Sequence, residues 1–69
     1  MKISARNSLP GIVKKVTPGA VNAEVTLELA PGLTIVSIIT RDAIKNLGLK
    51  KGKIAYAVIK ASSVMIGVD

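Results

Sequence analysis

The chain has 69 residues, 49% of them hydrophobic, a net charge of +6, one aromatic residue (Tyr56), and neither Cys nor His. That composition excludes disulfides, thiolate and imidazole metal sites and the commonest general base. It also leaves more apolar surface than so short a chain can hide, because a lone domain of about 60 residues buries only about 60% of what its unfolded chain exposes; an obligate oligomer is expected.

Met1-Lys2 leads directly into the polar run Ser4 to Ser8, with no secretory signal pattern. Leu9 to Val16 reads as a first strand, with Pro10 and Gly11 near its start, where an edge or bulge tolerates them. Thr17-Pro18-Gly19 is a turn. Val21 to Leu29 is the clearest element: Val21, Ala23, Val25, Leu27 and Leu29 alternate with Asn22, Glu24, Thr26 and Glu28. Period two over this stretch predicts a strand with one buried and one wet face. Pro31-Gly32 is the next turn. Leu33 to Thr40 is apolar on both faces and is expected to be central or to lie in a subunit contact.

Thr40 then suits a helix N-cap, Asp42 the first turn, and Gly48 a left-handed stop. One short helix of about two turns is predicted. Lys50-Lys51-Gly52-Lys53 is a solvated turn. Ile54 to Ile59, the longest apolar run, is again a central or interface strand and falls far short of the roughly 20 residues of a membrane span. Lys60 to Ser63 breaks it, and Val64 to Val68 reads as a last strand. Five strands with a helix between the third and fourth predict an all-β five-stranded OB-fold Greek-key barrel, a single domain over 1–69. A cytoplasmic, soluble protein with no membrane partner is expected.

Glu24, Glu28, Asp42 and Asp69 are the only acids and are scattered. They form no general acid–base pair and no oxygen cage for a hard cation. The reading is therefore a non-enzyme without a cation cofactor. The positive field attracts anions. A basic OB barrel first suggests a nucleic-acid-binding module, but single-strand binding stacks bases on aromatic faces at about 1–3 kcal/mol each. Tyr56 alone cannot supply that platform, so this is the secondary reading.

Two clusters carry the alternative. Ser4-Ala5-Arg6-Asn7 precedes the first strand, and Val58-Ile59-Lys60-Ala61-Ser62-Ser63 ends the fourth. Each joins one strong cation to small residues whose hydroxyl and backbone N–H groups donate hydrogen bonds. Phosphate keeps a proton at neutral pH and favours a site with a carboxylate acceptor, and no acid lies near either cluster. A fully deprotonated dianion such as sulfate, molybdate or tungstate suits a donor-only site better. Each charge-assisted bond contributes about 1.5–3 kcal/mol.

On these residues, together with Val21 to Leu29, Ser37-Ile38-Ile39-Thr40 and the continuation Val64-Met65-Ile66, the chain resembles the molbindins, small molybdate-binding proteins also called molybdenum-pterin-binding proteins. Their module is similar to that of molybdate-responsive regulators and to the transport-associated OB (Mop) domain of importer ATPases. The resemblance implies intracellular storage or buffering of molybdate or tungstate, held as a bound ligand between subunits of a homohexamer, a trimer of dimers. By motif match, Ser4, Arg6, Thr40, Lys60, Ala61 and Ser62 would line the main pocket. Arg6 and Lys60 would neutralise charge, while Ser4, Thr40 and Ser62 would orient the ion. A second kind of site on the threefold axis would fall near Gly19, Ala20, Val21 and Asn22. A pterin ring would find almost nothing but Tyr56 to stack on.

Overall fold

The computed structural model describes residues 1–69. Its elements are β1 (Asn7–Pro18), β2 (Asn22–Ala30), β3 (Leu33–Thr40), a helix α1 (Arg41–Leu47), β4 (Ile54–Ile59) and a single 3-10 turn at Ala61–Ser63. They form one curled antiparallel sheet in the order β3-β2-β1-β4.

The curl originates in β1, which changes partner along its length. Asn7 to Ile12 pair with Ile59 to Ile54 of β4, whereas Ile12 to Pro18 pair with Glu28 to Ala23 of β2. A register shift between Val13 and Lys15 adds the extra residue that bends the strand there. Gly11 permits the crossing. A Cβ at this buried position would meet the Glu28 carbonyl oxygen at 2.9 Å and a Leu29 methyl at 3.0 Å. The Lys50 to Lys53 turn is pinned on the bend, with the Gly52 N–H donating to Val13 O and the Val13 N–H donating to Lys53 O, both at 2.8 Å.

The alternation in β2 behaves as its sequence dictates: Ala23, Val25 and Leu27 are buried, and with Val13 they make up the buried side-chain core. Ile35, Ile39, Ile44, Leu49, Ala55 and Ala57 pack around it, only partly covered. The helix also follows its signals. The Thr40 hydroxyl accepts from the Ala43 N–H at 3.0 Å, and Gly48 adopts φ 63 with its N–H donating to the carbonyls of the last turn.

One expectation is corrected and one is narrowed. The chain itself forms four strands, not five, and does not close into a barrel: Val64 to Val68 has no strand partner. The 3-10 turn carries it away from β4; Val64 is half covered, while Ile66 and Val68 have almost nothing of their own chain over them. Of the two places expected for Leu33–Thr40 and Ile54–Ile59, central or at an interface, the sheet excludes the first: they are its two edges. Tyr56, the chain's one aromatic residue, is about half exposed, at 53%.

The missing closure is visible in bulk quantities. The accessible surface is 5592 Å², against about 4,100 Å² for a compact monomer of this mass. The radius of gyration is 12.7 Å, against about 11 Å for a compact chain of this length. There are 34 backbone–backbone hydrogen bonds, where about 46 are usual for this many residues. A lone chain thus leaves part of its fold unmade.

Candidate functional site

The antiparallel ladder between β1 and β4 joins the two cationic clusters. Asn7 pairs with Ile59, and the Asn7 side-chain amide donates to Ile59 O at 3.3 Å. Arg6 precedes Asn7 and Lys60 follows Ile59, so both cations emerge from adjacent strands at the same end of the sheet. Two segments separated by more than fifty positions in sequence meet because β4 lies against the first half of β1.

Beyond Lys60 the chain turns sharply. The Ser63 N–H donates to Lys60 O at 2.9 Å and the Val64 N–H to Ala61 O at 3.3 Å. The first N–H groups of such a turn have no partner inside it, and those of Ala61 and Ser62 make no hydrogen bond within the chain. Ser4, Arg6, Lys60, Ala61 and Ser62 are all solvent-exposed. The nearest recorded ion pair, Lys14 with Glu28 at 3.3 Å, lies elsewhere and leaves Arg6 and Lys60 without a carboxylate partner. This sheet end therefore offers two cations, serine hydroxyls and unpaired amide donors, and no acceptor charge to repel an anion.

Thr40 stands apart from them. It ends β3 opposite Asn22, at the Pro18 end of β1 and not at the Asn7 end. Along the twelve residues of β1 that is roughly 35 Å of strand at about 3.3 Å per residue. A single chain brings Ser4, Arg6, Lys60, Ala61 and Ser62 together and leaves Thr40 at the other end. Its hydroxyl oxygen is engaged by the Ala43 N–H, but a hydroxyl that accepts still has its own proton to donate.

Gly19, Ala20, Val21 and Asn22 form the β1–β2 turn at that same far end, closed by the Gly19 N–H donating to Asn22 O at 2.7 Å. Arg41, which the sequence reading passed over, holds this turn from the helix. Its guanidinium donates to Gly19 O at 3.3 Å, and its N–H donates to Val21 O at 3.0 Å. The only hint in the sequence was its place directly after the capping Thr40. Ala20, Val21, Arg41, Lys45 and Lys50 border an open cleft of about 1160 Å³ here. No cluster of three metal-ligating side chains occurs, and no helix is long and apolar enough to cross a membrane.

The class defined by these features is a small β protein built on a curled antiparallel sheet, with a cationic strand end rich in hydrogen-bond donors. The TOBE domain family matches residues 3–66. The chain is 49% identical over 69 residues to the probable molybdenum-pterin-binding protein of Haemophilus influenzae (strain ATCC 51907 / DSM 11121 / KW20 / Rd), covering all of both chains. It is 53% identical over 66 residues to molybdenum-pterin-binding protein 3 of Clostridium pasteurianum, covering 96% of this chain and 97% of the relative. Among solved structures, the cytoplasmic molybdate-binding protein ModG, with molybdate bound, superimposes at a TM-score of 0.94 with 55% identity; all of this chain corresponds to 49% of that one. The chain belongs to the molybdenum-pterin-binding protein family, the molbindins, within the TOBE-domain group.

Proposed function

We propose that this chain binds molybdate or tungstate and serves as an intracellular store or buffer for the ion, without a catalytic step. The observation that carries the reading is the Asn7–Ile59 pairing, which sets Arg6 and Lys60 side by side next to the free N–H groups of Ala61 and Ser62. A tetrahedral dianion can exchange its hydration shell there for two charge-assisted contacts and several neutral donors. The relatives described as binding molybdenum-pterin or molybdate support the choice of oxyanion, and the ModG neighbour is described as cytoplasmic.

In this reading the main pocket comprises Ser4, Arg6, Lys60, Ala61 and Ser62 of one chain with Thr40 supplied by another, because Thr40 sits at the opposite end of its own sheet. The pocket then lies between subunits of a homo-oligomer, a hexamer arranged as a trimer of dimers. The Gly19 to Asn22 turns form the second kind of site, with Arg41 fixing the turn. The surface excess of about 1,500 Å² per chain over a compact monomer supports extensive contact between copies. The whole unit, residues 1–69, acts as one binding domain.

Native mass spectrometry of the full chain with molybdate, sulfate and phosphate added in turn tests the proposal. The expected result is a hexamer that retains molybdate and discriminates against phosphate. A monomer, or an assembly that takes up all three ions alike, would refute it.

A further inference from the structure

The sheet carries an apolar surface on the side away from its core. In β4, Ala55 and Ala57 pack against the core, so Ile54, Tyr56 and Val58, which alternate with them, stand on the opposite face. β1 supplies their neighbours. Ile12 pairs with Ile54, Pro10 with Tyr56 and Ser8 with Val58, and directly opposed residues share a face. Two columns of three result, apolar at five of the six positions. Ile12, Ile54, Tyr56 and Val58 are 51%, 67%, 53% and 47% exposed, and the Tyr56 hydroxyl makes no hydrogen bond within the chain. On the same face β2 presents Glu24, Thr26 and Glu28, the pattern of a solvated surface. The stretch beside it is of another kind.

A contiguous apolar patch with a charged border marks a contact site, and a tyrosine set among aliphatic residues is the usual centre of a protein–protein contact. The border selects the occupant. At one end Arg6 and Lys60 stand one register position beyond the Asn7–Ile59 pair. At the other, the irregular stretch of β1 carries Lys14 and Lys15. Glu28, opposite Ile12, is already paired with Lys14. A second copy, itself at +6, would set cations against cations. Single-stranded bases would find only Tyr56 to stack on. A bilayer is entered to a depth of about 5–10 Å by an amphipathic helix, and partly covered side chains on a sheet face do not reach so far. An acidic protein surface satisfies both the centre and the ends.

We propose that this outer face of β1 and β4 docks an acidic partner protein, whose apolar side chains cover Tyr56 and its aliphatic neighbours and whose carboxylates meet the cations at both ends. Arg6 and Lys60 also belong to the oxyanion pocket, and the next step rests on that reading. A docked carboxylate and the bound ion compete for the same two cations, so the partner promotes release of the ion where it docks. Linkage makes the effect reciprocal: each lowers the other's affinity by the same factor.

The test uses the full chain, 15N-labelled and free of molybdate, so that docking is judged apart from the oxyanion reading. The probes are three short helical peptides without aromatic residues: one with a leucine face flanked by glutamates, one with lysines in place of the glutamates, and one with serines in place of the leucines. Amide shifts and the emission of Tyr56, the chain's single aromatic residue, report binding. The glutamate–leucine peptide should bind, less tightly as salt rises, with shifts centred on Ile12, Ile54, Tyr56 and Val58. No binding, equal binding of the lysine peptide, or shifts centred elsewhere overturn the proposal. So does tighter engagement of this face by phosphatidylglycerol vesicles or by oligothymidylate. Ile54→Lys, at an exposed edge position, should keep the circular dichroism signal and molybdate binding while weakening the peptide by about 30-fold, the effect of a residue central to a contact; unchanged affinity counts against the proposal. Saturating peptide should then weaken molybdate binding. If the peptide docks and molybdate binds as before, the competition fails and the docking stands.

Discussion

Gly11→Ala places one methyl group where β1 crosses close to the Glu28–Leu29 stretch of β2. The added Cβ would lie 2.9 Å from Glu28 O and 3.0 Å from a Leu29 methyl. The first of these is backbone and cannot rotate aside. Overpacking of this kind costs about 1–3 kcal/mol. Removing a glycine from the unfolded chain returns about 0.4–1 kcal/mol, which leaves a net loss of about 1.5 kcal/mol by the same two estimates. For a chain of this size each kcal/mol moves Tm by about 4–8 °C, so a fall of about 6–12 °C is expected. Thermal unfolding should be followed by circular dichroism at one fixed protein concentration, because assembly itself shifts Tm. Urea unfolding should show a lower midpoint with an unchanged slope. An unchanged or raised Tm would mean that β1 does not cross β2 at this distance, and the explanation of the curl would fail.

Arg6→Ala and Lys60→Ala should each weaken molybdate binding by about 2–4 kcal/mol, the range for removing one partner of a desolvated charge pair; calorimetry on both variants checks this, and unchanged affinity would refute the pocket. Asn7→Ala removes a side-chain hydrogen bond that ties the start of β1 to the end of β4, and should cost about 0.5–1.5 kcal/mol in stability by urea unfolding. Thr40→Ala strips the helix of its cap and should lower stability by about 1 kcal/mol, whereas Thr40→Ser should restore it. Glu28→Gln breaks an exposed ion pair with Lys14 and should change stability by under about 1 kcal/mol, with the difference vanishing in high salt.

Local signals were legible in the sequence wherever the physics is local. Alternation along Val21 to Leu29 announced a half-buried strand, and Ala23, Val25 and Leu27 are indeed the residues it buries. Thr40, Asp42 and Gly48 marked the helix because capping depends on the adjacent backbone alone. That the two cationic clusters share one pocket was implied by the family resemblance and not by residue chemistry; the ladder sets them at the same end of the sheet through Asn7 and Ile59. Register was not legible. Nothing in the composition of Ser37 to Thr40 says that Thr40 lies at the opposite end of the sheet from Arg6. The pattern at Val64 to Val68 shows which face of a strand seeks cover, but a period of two cannot say which chain covers it. For the same reason Leu33–Thr40 and Ile54–Ile59, expected as central or interface strands, could not be placed from pattern alone: apolar residues on both faces show that a strand seeks cover on both sides, not where in the sheet it lies, and both are edges.

The central claim is that an oxyanion is held where the start of β1 meets the end of β4. Crystals of the protein grown with molybdate, measured at the molybdenum absorption edge, locate the metal directly by anomalous scattering. The account predicts a peak within hydrogen-bonding reach, through the molybdate oxygens, of Arg6, Lys60 and the Ala61 and Ser62 N–H groups. A strong peak elsewhere, with none at this sheet end, would contradict it.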